Sequence, residues 1–424
     1  MAKMFEEFLP QIRSKFPRVD KDFQGRNRVF LDSGAGSMVL EDAVRAEAQA
    51  RVDFAAEHDA PAEESSEAGK VIYRGRMAVA DILNAESPEL IVSGESTTSL
   101  LFNLGYAHLR TLKPGGNIVT TEYEHYANVS PWLELKERGF VDEVRFARFN
   151  PETYELDVNH LASLVDSHTR VVSVTGASNL LGTITPLQMV GKIAREHGAV
   201  FVVDGVHLMP HYPVDVQAIG CDFFVFSAYK LFCRFGSFMY GRREALEGLK
   251  PYKVEPAPES LPWRWEHGNR DPALFAAVAA VADYYEWLGG RVGVEPRGFS
   301  GSGRRLSIKA AQTAIREYES RLSRRVLEGL GGLEGRVKLY GPPDASRVEV
   351  RVPTFSFTLK GFENRRVVEA LWRDHRIFVR EENFYSRAVK SLGVPGVIRA
   401  SFAHYNTPLE ADRLLDALGR LMQP

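Results

Sequence analysis

The chain has 424 residues, of which 44% are hydrophobic and 25% are charged, and its formal net charge is -2. This near-neutral balance argues against a nucleic-acid-binding surface, and no run of about 18 apolar residues is present that could span a membrane. The first residues also lack the apolar core of a signal peptide, so we expect a cytoplasmic protein with neither nucleic-acid nor membrane partners.

The first part of the chain alternates short β-rich runs with longer helical patterns. Seven runs between residues 88 and 241 predict strands: ELIVSG, NIVTTE, EVRFAR, RVVSVTG, AVFVVDG, DFFVFSA and SFMYG. Most are continuously apolar, which is typical of strands buried on both faces of a parallel sheet. Helical segments such as TPLQMVGKIAREHG lie between them. We therefore predict a large α/β domain over residues 31–288 with a mainly parallel seven-stranded sheet.

A second unit follows the Gly-rich stretch GGRVGVEPRGFSGSGRR at residues 289–305, which predicts a hinge or a mobile loop. Its runs RVKLYG, VEVRVPTFSFTL, RIFVRE and GVIRASFAHYN alternate with the helical segments RRVVEALWRDH and EADRLLDALGRLM. This pattern predicts a smaller C-terminal α/β domain over residues 289–424. Residues 1–30 are expected to form an N-terminal segment that packs with this small domain.

Polar side chains follow several of the predicted strands, where an open parallel sheet binds its ligands. The turn VSGESTTS places Ser96, Thr97 and Thr98 at a strand-to-helix junction. Hydroxyls and free backbone N–H groups at such a junction hold an anion such as a phosphate, or they simply cap the helix. The pattern alone favours neither interpretation.

Four other strand ends carry one functional group each: His125, Asn179, Asp204 and Lys230. An aspartate there often caps a turn, and an isolated histidine is usually structural. Lys230 is harder to explain, because burying a lysine is unfavourable unless a partner or a chemical use compensates. The whole set suits pyridoxal phosphate (PLP), which requires a lysine amine for covalent attachment, a carboxylate at its ring nitrogen and an anion site for its phosphate. A desolvated lysine loses its proton more readily and becomes a nucleophile.

Metal chemistry has little support in the sequence. His207 and His211 stand four apart in HLMPH, but Pro210 between them argues against the helix that would align them. The two cysteines, Cys221 and Cys233, match no zinc spacing and are too few for a disulfide framework. We therefore predict no metal site.

The motifs FLDSGAGS, EHYANVSPW, SNLLGT, DGVHLMPHYPVDV, FSAYK and IRASFAHYNT occur in this order over nearly the whole chain. Together they resemble the class V aminotransferase superfamily of fold-type I PLP enzymes. The nearest groups are the cysteine desulfurases and the cysteine desulfurase-like and isopenicillin N epimerase-like proteins. The resemblance implies an amino-acid substrate, PLP as cofactor and a homodimer with active sites at its interface.

The resemblance also implies roles for individual residues. Lys230 would carry PLP covalently, Asp204 would contact its ring nitrogen and His125 would stack on its ring. Arg399 would grip the substrate carboxylate through its bidentate fork, which a lysine could not reproduce. The remaining implied cofactor contacts are Ser96, Thr97, Thr98, Asn179, His207, Ser227 and Tyr229, and the remaining substrate-binding candidates are Arg380, Asn179 and Ser37.

Three departures from the family pattern predict an altered substrate. The stretch REENFYSRAV after the position of Arg380 has no cysteine, although desulfurases of the family carry their attacking cysteine there. KLFCRFG replaces a Gly-Pro-His type of sequence, and EHGNRD has Asn269 where relatives usually have a threonine. We expect Asn269 to contact the phosphate of the neighbouring subunit.

The expected reaction is β-elimination from a cysteine-type amino acid, without a persulfide on the protein. Lys230 is the expected base for the Cα proton, and His125 is the expected acid near the leaving group. Decarboxylation, transamination and epimerisation are alternatives within the same chemistry. A non-catalytic PLP-fold binding protein is an alternative of another class.

Overall fold

The protein is described by a computed structural model that covers residues 5–54, 58, 60–296, 298–299, 301–333 and 335–422. Residues 1–4 of the expected N-terminal segment and residues 423–424 of the expected small domain lie outside the described residues. No helix within these ranges is long and apolar enough to cross a membrane.

Strands and helices are numbered in chain order. The strands are β1 (Val29–Phe30), β2 (Ile91–Gly94), β3 (Asn117–Thr121), β4 (Glu143–Ala147), β5 (Thr169–Thr175), β6 (Val200–Asp204), β7 (Phe223–Ser227), β8 (Ser237–Gly241), β9 (Val337–Tyr340), β10 (Thr354–Leu359), β11 (Ile377–Phe378), β12 (Arg380–Glu382) and β13 (Val397–Ser401). The α-helices are α1 (Leu9–Ser14), α2 (Glu41–Asp53), α3 (Glu63–Leu83), α4 (Thr97–Thr111), α5 (Ser130–Glu137), α6 (Val158–Leu164), α7 (Leu187–Glu196), α8 (Val216–Ile219), α9 (Arg243–Gly248), α10 (Pro272–Val292), α11 (Gly303–Gly331), α12 (Asn364–His375), α13 (Ala388–Leu392) and α14 (Pro408–Leu421).

The large sheet contains seven strands in the order β2-β8-β7-β6-β5-β3-β4. β8 is antiparallel to both of its neighbours, and all other neighbouring pairs are parallel. Each apolar run predicted from the sequence forms one of these strands, which confirms the mainly parallel seven-stranded sheet. Every residue of β7 is buried, as expected for a strand covered by helices on both faces.

The direction of the strands brings five chain segments to one edge of this sheet. β2, β3, β5, β6 and β7 run the same way, so their carboxyl ends lie side by side. The residues at those ends are Gly94, Thr121, Thr175, Asp204 and Ser227. This is the edge at which an α/β sheet of this kind binds its ligands.

A smaller antiparallel sheet, in the order β12-β13-β10-β9, forms a second unit with α12 and α14. β1 joins this unit by pairing in parallel with β11. Its core includes Val29, Phe355, Leu371 and Leu414. A smaller C-terminal α/β unit is therefore confirmed.

The long helix α11 connects the two units. Ile308 and Tyr318 lie in the larger hydrophobic core, whereas Val326 and Leu330 lie in the smaller one. At the other end of the chain, Phe8 packs in the larger core. The boundaries 1–30, 31–288 and 289–424 remain predictions.

Candidate active site

A cavity opens at the carboxyl edge of the large sheet, where the five strand ends meet. Its lining consists of Ser96, Thr97, Thr98, His125, Ala127, Thr175, Ala177, Asn179, Asp204, Val206, His207, Ser227, Tyr229 and Lys230. Every residue predicted to bind the cofactor, except Asn269, belongs to this set. Side chains separated by more than 130 positions in the sequence thus line one space, because the strands that carry them are neighbours.

Lys230 ends a single 3-10 turn, Ala228–Lys230, that follows β7 directly. Its side chain is buried, with 7% of the residue exposed. Burial and the charge of Arg399 together lower the pKa of Lys230 to about 8, against the opposing charges of Asp204 and Asp32. A fraction of the amine is therefore uncharged near neutral pH, as nucleophilic or basic chemistry requires.

The turn that carries Lys230 is fixed from the N-terminal part of the chain by Ser37. The Ser37 hydroxyl donates to the Tyr229 carbonyl at 3.0 Å and accepts the Phe232 N–H at 2.9 Å. Phe232 has a left-handed backbone conformation, with φ 60°, which a bulky residue rarely adopts unless its surroundings hold it. Ser37 thus positions the lysine turn, and its role in substrate binding stays a prediction.

Asp204 ends β6 and is buried beside the lysine. One of its oxygens accepts the Val206 N–H at 3.0 Å. Burial raises the pKa of Asp204 to about 6, against the opposing effects of the Val206 hydrogen bond and the Lys230 charge. A protonated ring nitrogen placed against this carboxylate would favour its charged form.

His125 and Asn179 enter the cavity from the loops after β3 and β5. His125 Nδ1 accepts the Ala127 N–H at 3.0 Å, so the neutral ring carries its proton on Nε2. Burial and the charges of Lys230 and Arg399 lower the pKa of His125 to about 4, which keeps the ring neutral. Asn179 donates to the Phe384 carbonyl at 2.9 Å, and its buried Oδ1 has no hydrogen-bond partner within the described part of the chain.

Hydroxyls gather at the start of α4. Ser96 caps the helix by accepting the Ser99 N–H at 3.0 Å, which is one of the two interpretations of the STT turn. Thr97 Oγ1 lies 2.8 Å from Ser227 Oγ, which is 3.2 Å from Ser237 Oγ. Three buried hydroxyls beside the N-terminus of a 15-residue helix suit a bound phosphate, and the phosphate contact stays a prediction.

His207 lines the cavity, whereas His211 is not among its lining residues. His207 Nε2 lies 2.8 Å from Thr354 Oγ1, while its buried Nδ1 has no partner among the described residues. Burial holds the pKa of His207 well below its usual range. His211 Nδ1 instead lies 2.9 Å from Glu319 Oε2. The described residues contain no group of three or more His, Cys, Asp or Glu side chains placed to hold a metal ion.

The two arginines predicted to bind substrate lie opposite each other on β12 and β13. Arg399 is buried and donates to Asp32 Oδ1 and to the Asn179 carbonyl, each at 3.1 Å. Arg380 is more exposed and lies 3.8 Å from Asp32 Oδ2. Arg399 influences the pKa of Lys230, so its charge reaches the cavity, and its grip on a substrate carboxylate stays a prediction.

Sequence reasoning missed two buried acids near the site. Asp32, in FLDSGAGS, holds Arg399, and burial raises its pKa. Glu124 accepts hydrogen bonds from Thr121 Oγ1 at 2.6 Å, Asn128 Nδ2 at 2.8 Å and the Thr175 N–H at 2.9 Å. Burial raises the pKa of Glu124 to about 8. The signal for Asp32 was its place directly before a Gly-rich turn, whereas nothing in TTEYEHYAN distinguishes Glu124 from Glu122.

Asn269 lies outside the lysine cavity. It lines a separate cavity with Tyr252, Trp263 and His267. The next residue, Arg270, is 3.9 Å from Glu95 Oε1, so the segment abuts the turn that begins α4. The contact of Asn269 with a neighbouring subunit's phosphate stays a prediction.

The arrangement fits PLP. A carboxylate, a lysine of lowered pKa and a hydroxyl cluster at a helix N-terminus line one cavity, as attachment of the ring and phosphate requires. Asn179 Oδ1 and His207 Nδ1 are buried polar atoms without partners in the described ranges. Such atoms are costly to bury, and a polar cofactor would satisfy them.

The chain is similar to proteins of known family and structure. The class-V aminotransferase family model matches residues 29–291 and 302–414. A cysteine desulfurase of Klebsiella pneumoniae (strain 342) is 33% identical over 431 residues, which cover 97% of each chain. The apo structure of a cysteine desulfurase from Thermococcus onnurineus NA1 superposes with a TM-score of 0.83 at 26% identity, over 97% of each chain. A variant of the cystine C–S lyase C-DES, with glycine covalently linked to its PLP cofactor, shares the fold with a TM-score of 0.76 at 17% identity, over 96% of this chain and 98% of that one.

Proposed function

The chain belongs to the class-V aminotransferase family of PLP-dependent enzymes, and from this premise we propose that it is a lyase that releases a thiol from a cysteine-type amino acid by β-elimination. Similarity to cysteine desulfurases supports an amino-acid substrate related to cysteine. Family membership also sets aside the alternative of a non-catalytic binding protein.

The observation that carries the proposal is the position of the two cysteines. Cys221 and Cys233 are both buried, and neither is among the residues that line the lysine cavity. Burial raises the pKa of the Cys233 thiol to about 12, so little thiolate forms at neutral pH. Residues 380–389, REENFYSRAV, contain no cysteine. These facts favour elimination, which requires no protein thiolate, over transfer of sulfur to the protein.

The side chains of the cavity are suited to the two bond-breaking events of an elimination. PLP, when bound, supplies an electron sink for negative charge at the substrate Cα. Lys230 is the group placed to accept the Cα proton, because its lowered pKa leaves part of the amine uncharged. The Cβ–S bond then breaks with its electron pair on sulfur, and the His125 Nε2–H is available to hydrogen-bond the departing thiolate. Arg399 would hold the substrate carboxylate.

The experiment that tests this function is a substrate panel on the PLP-loaded protein. The panel comprises cysteine, cystine and S-alkyl and S-aryl cysteines, with pyruvate, ammonium, thiol, sulfide, persulfide, CO2, keto acid and alanine measured as products. We expect pyruvate, ammonium and one sulfur product in equal amounts: a thiol from each S-substituted cysteine, sulfide from cysteine and cysteine persulfide from cystine. CO2 or keto acid without thiol would favour decarboxylation or transamination, and loss of optical activity alone would favour epimerisation.

We further propose a homodimer in which Asn269 contacts the phosphate bound by the partner subunit. The cavity that Asn269 lines also presents exposed apolar side chains, among them Tyr252 and Val254, as interfaces often do. Sedimentation at working concentration is expected to give a dimer. Asn269→Ala is expected to weaken PLP binding and to leave the dimer associated. A fully active monomer would contradict this arrangement.

A further inference from the structure

Residues 383–387, here called the strap, lie against the wall of the lysine cavity. These residues follow β12 in the smaller unit. Their backbone is nevertheless hydrogen-bonded to loops of the large unit. The strap bonds are Asn179 Nδ2 to the Phe384 carbonyl at 2.9 Å, the Tyr126 N–H to the Tyr385 carbonyl at 2.8 Å, and the Arg387 N–H to the Glu124 carbonyl at 2.8 Å. Two of these hydrogen bonds are to the neighbours of His125, and the third is to Asn179, so the strap is held against both loops.

The strap carries two consecutive aromatic residues with an unusual backbone conformation. Phe384 and Tyr385 are consecutive left-handed residues, with φ 52° and 49°, which bulky side chains rarely adopt. Asn383 Oδ1 accepts the Tyr385 N–H at 2.9 Å, and the Asn383 carbonyl accepts the Ser386 N–H at 3.0 Å. Backbone of this kind persists where surrounding contacts determine it, often at functional sites.

The two aromatic rings have different environments. Phe384 is buried, and the Arg399 guanidinium lies 3.8 Å from its ring centroid. Tyr385 is 66% exposed, and its ring centroid lies 6.0 Å from that of His125. The strap therefore places one aromatic ring behind the predicted carboxylate site and one beside the histidine at the cavity.

Resting on the proposed function, we propose that Tyr385 is a specificity-determining residue that contacts the organic group on the substrate sulfur. With its carboxylate at Arg399 and its Cα at Lys230, a substrate would extend its side chain toward His125, whose ring centroid lies 6.0 Å from that of Tyr385. A thioether sulfur and an apolar or aromatic substituent both pack favourably on such a ring. The favoured substrates are then S-substituted cysteines with an apolar or aromatic group, rather than free cysteine.

The test measures binding rather than turnover. α-Methyl-S-benzylcysteine and α-methylcysteine have no Cα proton, so neither can undergo elimination, and their Kd values on the PLP-loaded protein follow from calorimetry. The wild type is expected to bind the benzyl compound about tenfold more tightly. Tyr385→Phe keeps the ring and the preference. Tyr385→Asn removes the ring, suits a left-handed backbone, and is expected to reduce the preference to less than about threefold.

Two controls separate the possible failures. Phe23→Ala removes an 80% exposed aromatic ring elsewhere and should leave both Kd values unchanged. The Kd of α-methylcysteine in Tyr385→Asn should match the wild type, which shows that the site is intact. A benzyl preference that survives in Tyr385→Asn overturns the assignment of Tyr385. A Tyr385-dependent preference in a protein that eliminates no thiol upholds this assignment and refutes the proposed function.

Discussion

Arg76, on α3, forms a buried ion pair with Glu266, whereas Lys230 and Asp204 lie buried at the edge of the large sheet. The structural pair has several hydrogen bonds: Arg76 donates twice to Glu266, at 2.8 and 2.7 Å, and once to the Ile91 carbonyl at 2.6 Å. Glu266 also accepts the Ser93 N–H at 2.6 Å and the Ser93 hydroxyl at 2.7 Å.

Lys230 and Asp204 have fewer hydrogen-bond partners than Arg76 and Glu266. Burial is the largest influence on the pKa of Lys230, and the others are nearby charges rather than hydrogen bonds. Burial likewise dominates the raised pKa of Asp204. This fold therefore buries charged side chains for two different purposes. Arg76 and Glu266 are hydrogen-bonded to each other and to the backbone of β2. Lys230 and Asp204 lie where a bound cofactor would meet both groups.

Lys230→Ala should have the largest effect, a loss of turnover of about 10³-fold or more, because both attachment and proton transfer depend on this amine. In the wild type, borohydride reduction and peptide mapping should place the cofactor label on Lys230. Lys309→Ala is the matched control, since that buried lysine is bonded to the Ile82 carbonyl and to Gln312. The control should lose stability but keep the label; labelling of another lysine in the wild type would contradict the assignment.

Glu266→Gln tests the contribution of the buried Arg76–Glu266 pair to stability. Removing one charge from a buried pair leaves the Arg76 charge uncompensated and should lower the free energy of unfolding by about 3–5 kcal/mol, measured by urea denaturation. Asp412→Asn, in the exposed Arg325–Asp412 pair, should cost no more than about 1 kcal/mol. Equal losses in the free energy of unfolding would show that the buried Arg76–Glu266 pair stabilises the fold no more than an exposed pair does.

Asp204→Asn should lower turnover by about 10²-fold while the protein still binds PLP, because an amide cannot hold the ring nitrogen protonated. Steady-state rates and the absorbance of the bound cofactor measure the two effects. The apoprotein should be no less stable than the wild type, since the substitution removes a charge that burial disfavours. Turnover within a few fold of the wild type would exclude Asp204 from this role.

The lowered pKa of Lys230 should also make the stability of the apoprotein depend on pH. The pKa of Lys230 is about 8 in the folded chain, below its ordinary 10.5, so the unfolded chain binds more protons between these values. Lys230 therefore destabilises the fold most below about pH 8, and its cost fades as the pH rises toward 10.5. Lys230→Met should stabilise the apoprotein at pH 7 by on the order of 2 kcal/mol more than at pH 10. A difference independent of pH would contradict the lowered pKa.

The smallest effect is expected from the Cys221→Ser, Cys233→Ser double variant. Both thiols lie outside the lysine cavity, so turnover per folded molecule should stay within about twofold of the wild type. Turnover is measured at equal concentrations of folded, PLP-loaded protein. A loss comparable to that of Asp204→Asn would mean that a thiol takes part in the reaction.

The large sheet and most of its site could be predicted because the signals are local. Continuous apolar runs mark β2 to β8, and the polar residues that follow them lie at one edge once the strands are parallel. α11 was missed because its buried positions include Lys309, Gln312, Glu319 and Ser323, which interrupt the apolar periodicity that a helix otherwise shows.

Other features depended on contacts between distant parts of the chain. Asp32 reaches Arg399 only after β1 and β13 come together. The strap meets Glu124 and Tyr126 only in the folded protein, and its left-handed Phe384 and Tyr385 have no glycine to mark them. Local sequence patterns could not predict these contacts, because each contact joins residues that are far apart in the sequence.

The most direct test of the central claim follows the sulfur atom of an S-substituted cysteine through a single turnover of the wild-type, PLP-loaded protein. Pyruvate and free thiol are quantified, and intact-protein mass spectrometry measures any sulfur added to the chain. The proposed elimination predicts one thiol for each pyruvate and an unchanged protein mass. Alanine in place of pyruvate, together with a protein heavier by the substrate's sulfur and its substituent, held as a mixed disulfide on Cys233, would show that the enzyme transfers sulfur through its own cysteine.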